Sequence, residues 1–274
     1  MKGSRSALRR VLAERFGEAP DLPRELEGID ALLRIAGASS HRAWTDRPIE
    51  PALLRLLCAC ALSAPSKSHL QQADIVEVRD PQLRARVQAL VPSMPWMKDA
   101  AALLVFCANG RRFRRMFSRQ GAAFVNEHLD GFFNPAVDTA MVMMNFIHAA
   151  SASGLGCCPI SVLRDRASAL AALLELPEHV YPVAGLCVGY PAAPRAVTPR
   201  LALSATLHVD RFDDRALDAE LDDFDRRHVA ARRRHALPDS PPPLSWTEEK
   251  RRQYASPQRG DWGAFIRAKG FGLG

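Results

Sequence analysis

The side chains of this chain that are suited to chemistry are cations and thiols. Arginines gather twice, at Arg111-Arg112-Phe113-Arg114-Arg115 and at Arg232-Arg233-Arg234. At that density guanidinium groups either form a solvated helix face or fork onto phosphates, and both readings stay open here. The other basic residues are dispersed, and no recognised binding motif accompanies the net charge of +7, so no nucleic acid is expected as partner. The six cysteines, at 58, 60, 107, 157, 158 and 187, lie mostly in apolar runs and show neither CxxC nor zinc-site spacing. Cys157 and Cys158 are adjacent, and neighbours on a strand point to opposite faces, so a bridge between them would be strained. Free, buried thiols in a reducing compartment are expected.

The elements that position these groups alternate along 274 residues, enough for one large domain or two small ones. No run approaches the roughly 18 apolar residues of a membrane helix. The basic start, Met1-Lys2-Gly3-Ser4-Arg5-Ser6, leads into Arg9, Arg10, Glu14 and Arg15 instead of an apolar stretch, which predicts a cytoplasmic protein without a secretory signal. Residues 1–37 read as a helical extension with a proline-containing break at 20–23. Pro51 opens a helix that stops before Pro65. Residues 73–79 alternate as a half-buried strand, and Asp80-Pro81 caps the next helix. Residues 101–107 form a continuous apolar strand. Asn134-Pro135 is read as the start of a long helix that buries Val137, Met141, Met144 and His148 and stops at a left-handed Gly154.

A short strand follows, then a helix opened by Asp165-Arg166. Residues 181–189 and 203–208 read as two further strands. Helices interleaved with strands predict an α+β sheet with helices on both faces. Beyond residue 209 the character changes to a charged helix over 213–235 with a narrow stripe at Leu217, Leu221 and Phe224. A stiff linker follows, Pro238-Asp239-Ser240-Pro241-Pro242-Pro243. Ser245-Trp246-Thr247-Glu248 has capping-box spacing, and the last helix ends at Lys269-Gly270. With too few apolar residues for its own core, this arm is expected to dock through Trp246, Tyr254, Trp262, Phe265 and Phe271.

Several short motifs, in order, resemble the FMN-dependent nitroreductase family, most closely its larger NADPH-preferring bacterial class. Thr45-Asp46-Arg47-Pro48 matches the family's T-D-x-P. In that register the preceding HRSxRxF signature falls on Ser40, Arg42 and Trp44; a gapped register matches His41-Arg42 to its opening pair, and both stand. Pro65-Ser66-Lys67-Ser68-His69-Leu70-Gln71 resembles P-S-x-x-N-x-Q, with His69 in place of asparagine. Cys158-Pro159-Ile160-Ser161 resembles the strand passing the flavin edge, and Thr198-Pro199-Arg200-Leu201 resembles K-x-R-L, with Thr198 in place of lysine.

The resemblance implies a mostly antiparallel sheet sandwiched by helices, with a core over 38–210 and a helical excursion and arm over 211–274. It implies FMN held by Ser40, His41, Arg42, Pro65, Ser66, Lys67, Ser68, His69, Pro159, Ile160, Ser161 and Arg200. Met94 falls where some relatives carry an amide, and Trp96 reads either as a pocket wall or as core. With the flavin carrying the chemistry, no catalytic side chain and no metal is implied. Arg42 or Lys67 would be the cation at the pyrimidine edge. The implied activity is hydride transfer from NAD(P)H through FMN to a small-molecule acceptor, a nitroaromatic, a quinone or free flavin, in a cytoplasmic homodimer. A flavin oxidase or dehydrogenase of one metabolite and a non-catalytic flavin-binding descendant are the alternatives.

Overall fold

A computed structural model describes residues 2–235 and 240–274. Pro238 and Asp239 of the expected linker lie outside the described residues. The helices are α1 (Lys2–Phe16), α2 (Ile29–Ala36), α3 (Pro51–Leu62), α4 (Pro81–Ala89), α5 (Arg111–Arg119), α6 (Leu129–Ala152), α7 (Ala167–Leu173), α8 (Leu217–Arg234), α9 (Trp246–Gln253) and α10 (Trp262–Ala268). The strands are β1 (Ala73–Glu77), β2 (Ala102–Asn109), β3 (Gly156–Ile160) and β4 (Val180–Gly189). Two compact units divide the chain: one holds Ser40–Pro194 with Arg259–Gly274, the other Met1–Ser39 with Arg195–Gln258.

In the first unit the strands form one antiparallel sheet in the order β1-β2-β4-β3. The uninterrupted apolar run of β2 is explained by cover on both faces, since alternate residues must each find a core. Leu103, Val105 and Cys107 face a layer with Val87, Val91, Met97, Leu163 and Leu170. Leu104 and Phe106 face Leu54, Leu57, Val142, Phe146 and Ala150 of α3 and α6. Cys157 and Cys158 fall into opposite layers, as the strand period requires. Pro182 lacks a ladder donor, and the β2–β4 register shifts beside it, between Phe106 and Cys107. Asp80 accepts from the Leu83 N–H at 2.6 Å and so starts α4. Gly154 has φ +76° and closes α6 with paired bonds from Gly154 N–H and Leu155 N–H back to Ser151 and Ala150.

Several expectations are corrected. Helix α6 begins at Leu129, a turn and a half before Asn134, with Pro135 inside it. Proline removes one helical donor, but tertiary contacts support the extra turn. The Tyr181 hydroxyl donates to the Phe132 carbonyl at 2.6 Å, and the two rings stack at 5.1 Å. The buried face of α6 carries Asp138, Thr139, Val142, Phe146 and Ala150, whereas Val137 and Met144 are about 40% exposed. The helix is apolar nearly all round here, so periodicity alone does not choose a face. Helix α7 starts at Ala167, after a 3-10 turn over Val162–Arg166, and Asp165 instead pairs with Arg259 at 2.6 Å.

Residues 203–208 are not a strand. Leu203–Ala205 is a 3-10 turn in the second unit, where no strand among the described residues offers a ladder. That unit pairs α1 with α2 and α8 with α9. Phe224 meets Trp246 edge-on at 5.4 Å, and Ser245 Oγ caps α9 by accepting from Glu248 N–H. In the first unit, Phe265 and Phe271 are buried around Tyr181, with Trp262 beside them. Tyr254, expected as an anchor, is exposed.

All six cysteines are free. Burial pushes the Cys107, Cys157 and Cys187 thiols up to about 12 and also raises Cys58, whereas Cys60 is exposed on α3. Only the thiolate reacts. In native protein at pH 8, Ellman's reagent is therefore expected to spare Cys107, Cys157, Cys158 and Cys187, which react only after unfolding. Rapid reaction of a third thiol in the native state would contradict the packing of the sheet.

Candidate functional site

Two clusters of the motif residues form in the first unit. At the outer edge of the sheet, Ser40 bridges Cys157, and the His41 N–H donates to the Cys157 carbonyl at 2.9 Å. Residues 43–45 then pair with residues 190–192 past the end of β4, at the opposite end of β3 from residues 159–161. Beyond Cys157, that edge has no strand partner among the described residues. Pro159 is exposed and donates nothing, and Ser161 begins a 3-10 turn by accepting from Arg164 N–H at 3.0 Å. Ile160 points into the core. The exposed Arg42 guanidinium lies 5.7 Å from the centre of the Trp96 ring, which in turn packs against Trp44 at 5.9 Å. Trp96 and Met94, both partly buried, pack against the core.

The second cluster is the loop after α3. Ser68, His69 and Gln71 all have positive φ (48°, 58° and 52°) without being glycine. Each left-handed residue of this kind costs about 1–2 kcal/mol, so the loop must be held from outside. Asp138, on the buried face of α6 and 1% exposed, supplies the hold. One oxygen accepts from the Lys67 backbone N–H at 3.0 Å and the other from the Gln72 side-chain amide at 3.1 Å. Ser66 Oγ accepts from the Gln71 N–H at 3.3 Å. The loop thus presents Pro65, Ser66, His69 and Gln71 to a cavity of about 550 Å³ that Asp138 and Arg112 also line. The Lys67 ammonium lies 3.8 Å from Asp130, both half-exposed, a pair of little energetic weight.

Neither this cavity nor the one adjoining it is lined by residues 40–42 or 159–161. The two clusters share neither of these cavities. Arg200 belongs to the second unit. Its Nη1 donates to Thr198 Oγ1 at 2.9 Å, so the threonine that replaces the motif lysine orients the arginine. Its N–H donates to the carbonyl of Arg15 at 2.6 Å. The Arg15 side chain is buried and donates to the carbonyls of Ala36 and Ala38, each at 2.8 Å, and of Thr198 at 3.2 Å. Burial first and the Arg200 charge second lower its pKa.

Sequence reasoning missed Asp138, Gln72 and Arg15. The signal for Asp138 was a lone carboxylate inside an apolar helical run, which burial makes costly unless donors meet it. Among the described residues, no cluster of metal-ligating side chains occurs and no helix is long and apolar enough to cross a membrane.

Comparison with known proteins follows the same pattern. The model of the nitroreductase family matches residues 35–190, and that of the nitroreductase family C-terminal domain matches 198–274. An oxygen-insensitive NADPH nitroreductase of Salmonella typhimurium is 33% identical over 178 residues, 65% of this chain and 72% of that protein. An FMN reductase [NAD(P)H] of Bacillus subtilis is 31% identical over 182 residues, 63% of this chain and 70% of its own length. Among solved structures, Bacillus megaterium NfrA2 superposes with a TM-score of 0.83 at 27% identity, over 89% of this chain and 99% of that one.

The loop's dependence on Asp138 is open to measurement. Asp138→Ala leaves the Lys67 N–H and the Gln72 amide without their acceptor, a loss of about 1–3 kcal/mol. Hydrogen exchange of residues 65–72 is expected to accelerate at least tenfold, with β2 and β4 unchanged. Uniform acceleration across the sheet would make Asp138 a general core residue and not the anchor of the loop.

Proposed function

This chain belongs to the nitroreductase family, and on that premise we propose that it is an NAD(P)H-dependent FMN oxidoreductase that reduces nitroaromatic, quinone or free-flavin acceptors. The observation that carries the reading is the pairing of Ser40 and His41 with Cys157 at the edge of the sheet. Two segments more than a hundred residues apart in sequence, both carrying family motifs, meet there beside an edge of the sheet.

The residues fit FMN by the chemistry of their donors. Ser66, His69 and Gln71 offer short polar groups at a cavity, the Ser161 backbone adds a donor at the sheet edge, and Arg200 is an exposed guanidinium suited to phosphate. Bound FMN supplies the two-electron redox chemistry. The protein's part is to orient ring and phosphate and to provide positive charge. Arg42 or Lys67 supplies the cation for the pyrimidine edge. Val137, Met141 and Met144 on α6, with Leu56 and Leu62 on α3, leave an apolar surface partly uncovered. We assign it to a homodimer interface. Free thiols support a reducing, cytoplasmic setting.

Purified protein is expected to be yellow, to release FMN on denaturation, and to bleach anaerobically with NADPH. Bleaching only by another reductant would point to the dedicated oxidase or dehydrogenase, and failure to take up FMN to the non-catalytic reading. Arg200→Ala is expected to weaken FMN binding roughly tenfold to a hundredfold, since a charge-assisted hydrogen bond contributes about 1.5–3 kcal/mol. Riboflavin, which lacks the phosphate, loses much less. Equal losses for both would make Arg200 a structural residue. Met144→Glu places a charge on the uncovered face of α6 and is expected to shift the sedimentation profile from dimer toward monomer; an unchanged dimer would remove α6 from the interface.

A further inference from the structure

Helix α5, RRFRRMFSR, carries five arginines and no acidic residue. Isolated, it is electrostatically unfavourable, because Arg111-Arg115 and Arg115-Arg119 place like charges one turn apart. Two of its arginines are compensated by the fold. Arg112 pairs with Asp74 at 2.6 Å and donates to the Gln71 carbonyl. Arg114 pairs with Glu127 and lies over the rings of Phe124 and Phe271. Arg115 and Arg119 are exposed and have no ion-pair partner among the described residues.

Both of these line a cavity of about 650 Å³, together with Arg112, His69, Gln71 and Met116. The lining contains three guanidiniums and no carboxylate. The volume lies in the range of small-molecule sites, and a concave wall one helix long suits a small anion better than a nucleic acid or protein surface. Two arginines at i and i+4 present their forks on one side of the helix, which matches a single dianionic group bound by both. A phosphomonoester is close to dianionic at pH 7. His69, Gln71 and Arg112 also line the cavity fronted by Ser66, so the cationic pocket opens directly beside the strained loop.

We propose that Arg115 and Arg119 form a phosphomonoester site for the diffusible ligand that exchanges electrons with the bound flavin. This rests on the FMN oxidoreductase reading and goes beyond it by assigning a ligand class to α5. Two ligands carry such a group: the 2′-phosphate of NADPH and the 5′-phosphate of FMN arriving as an acceptor.

The test uses the FMN-loaded enzyme and the double variant Arg115→Gln/Arg119→Gln. Steady-state kinetics give the kcat/KM ratio of NADPH to NADH with a fixed acceptor, and of FMN to riboflavin with a fixed donor. A fall of tenfold or more in the first ratio, carried by KM, assigns the site to the donor; the same fall in the second assigns it to the acceptor. Calorimetry of 2′-AMP against adenosine gives a readout independent of turnover, with tighter binding of 2′-AMP by the parent expected to weaken with salt and to vanish in the variant if the donor uses the site. Arg115→Lys/Arg119→Lys, which keeps the charge, is expected to restore part of whichever ratio fell. If neither ratio moves, the proposal is overturned. Protein that carries no FMN, or is reduced by neither nucleotide, would instead overturn the oxidoreductase reading on which it rests.

Discussion

A carboxylate buried in an apolar layer costs several kcal/mol unless donors meet its oxygens, and the constraint this sets at Asp138 organises the surroundings of the candidate site. Each oxygen is met by one donor, the Lys67 N–H or the Gln72 amide, and both belong to the chain that leaves α3. The same stretch of α6 places Phe146 edge-on to Phe106 of β2 at 5.9 Å. The sheet therefore fixes the helix, the helix fixes the carboxylate, and the carboxylate fixes a loop whose three left-handed residues would otherwise relax. Strain of this kind persists only where surrounding contacts over-determine it. The cavity in front of Ser66 exists because those contacts are made.

Charge is managed by a different rule. Burial of Arg15 is tolerated because three carbonyls accept from it, and it serves the fold of its unit. Arg112 and Arg114 are held by carboxylates, the first of them tying α5 to β1. Arg42, Arg115 and Arg119 make no such pair and remain exposed. A net charge of +7 is therefore a poor guide to partners; what matters is which guanidiniums the fold has already used. Among those left over, Arg42 lies over the Trp96 ring, and Arg115 and Arg119 line the α5 cavity.

Much of the architecture was legible in the sequence for simple reasons. An unbroken apolar run such as β2 has to be covered twice, Asp80-Pro81 has few conformations other than a helix start, and Gly154 suits the φ of +76° that ends α6. The errors fall where local pattern underdetermines the outcome. Residues 203–208 have the composition of a strand but no neighbour to pair with, and β structure is fixed by partners more than by propensity. The start of α6 depends on the Tyr181 hydroxyl, fifty residues away. At the loop after α3, the positive φ values at Ser68, His69 and Gln71 were not legible, because no glycine marks them.

The substitutions from the family motifs make local sense. Thr198 stands where the motif has lysine, and its hydroxyl accepts from Arg200. A second charge has been replaced by an orienting contact on the remaining one, which preserves a guanidinium's bidentate geometry without a neighbouring repulsion. His69 stands where the motif has asparagine, and its ring lies 3.3 Å from the Gln71 amide while lining both cavities. A ring nitrogen facing an amide keeps one polar contact of the asparagine and extends it toward the arginines of α5. Both changes leave the strand edge and the Asp138 anchor untouched, so variation at these positions acts on what binds around the scaffold while the scaffold itself is set by α6 and the sheet.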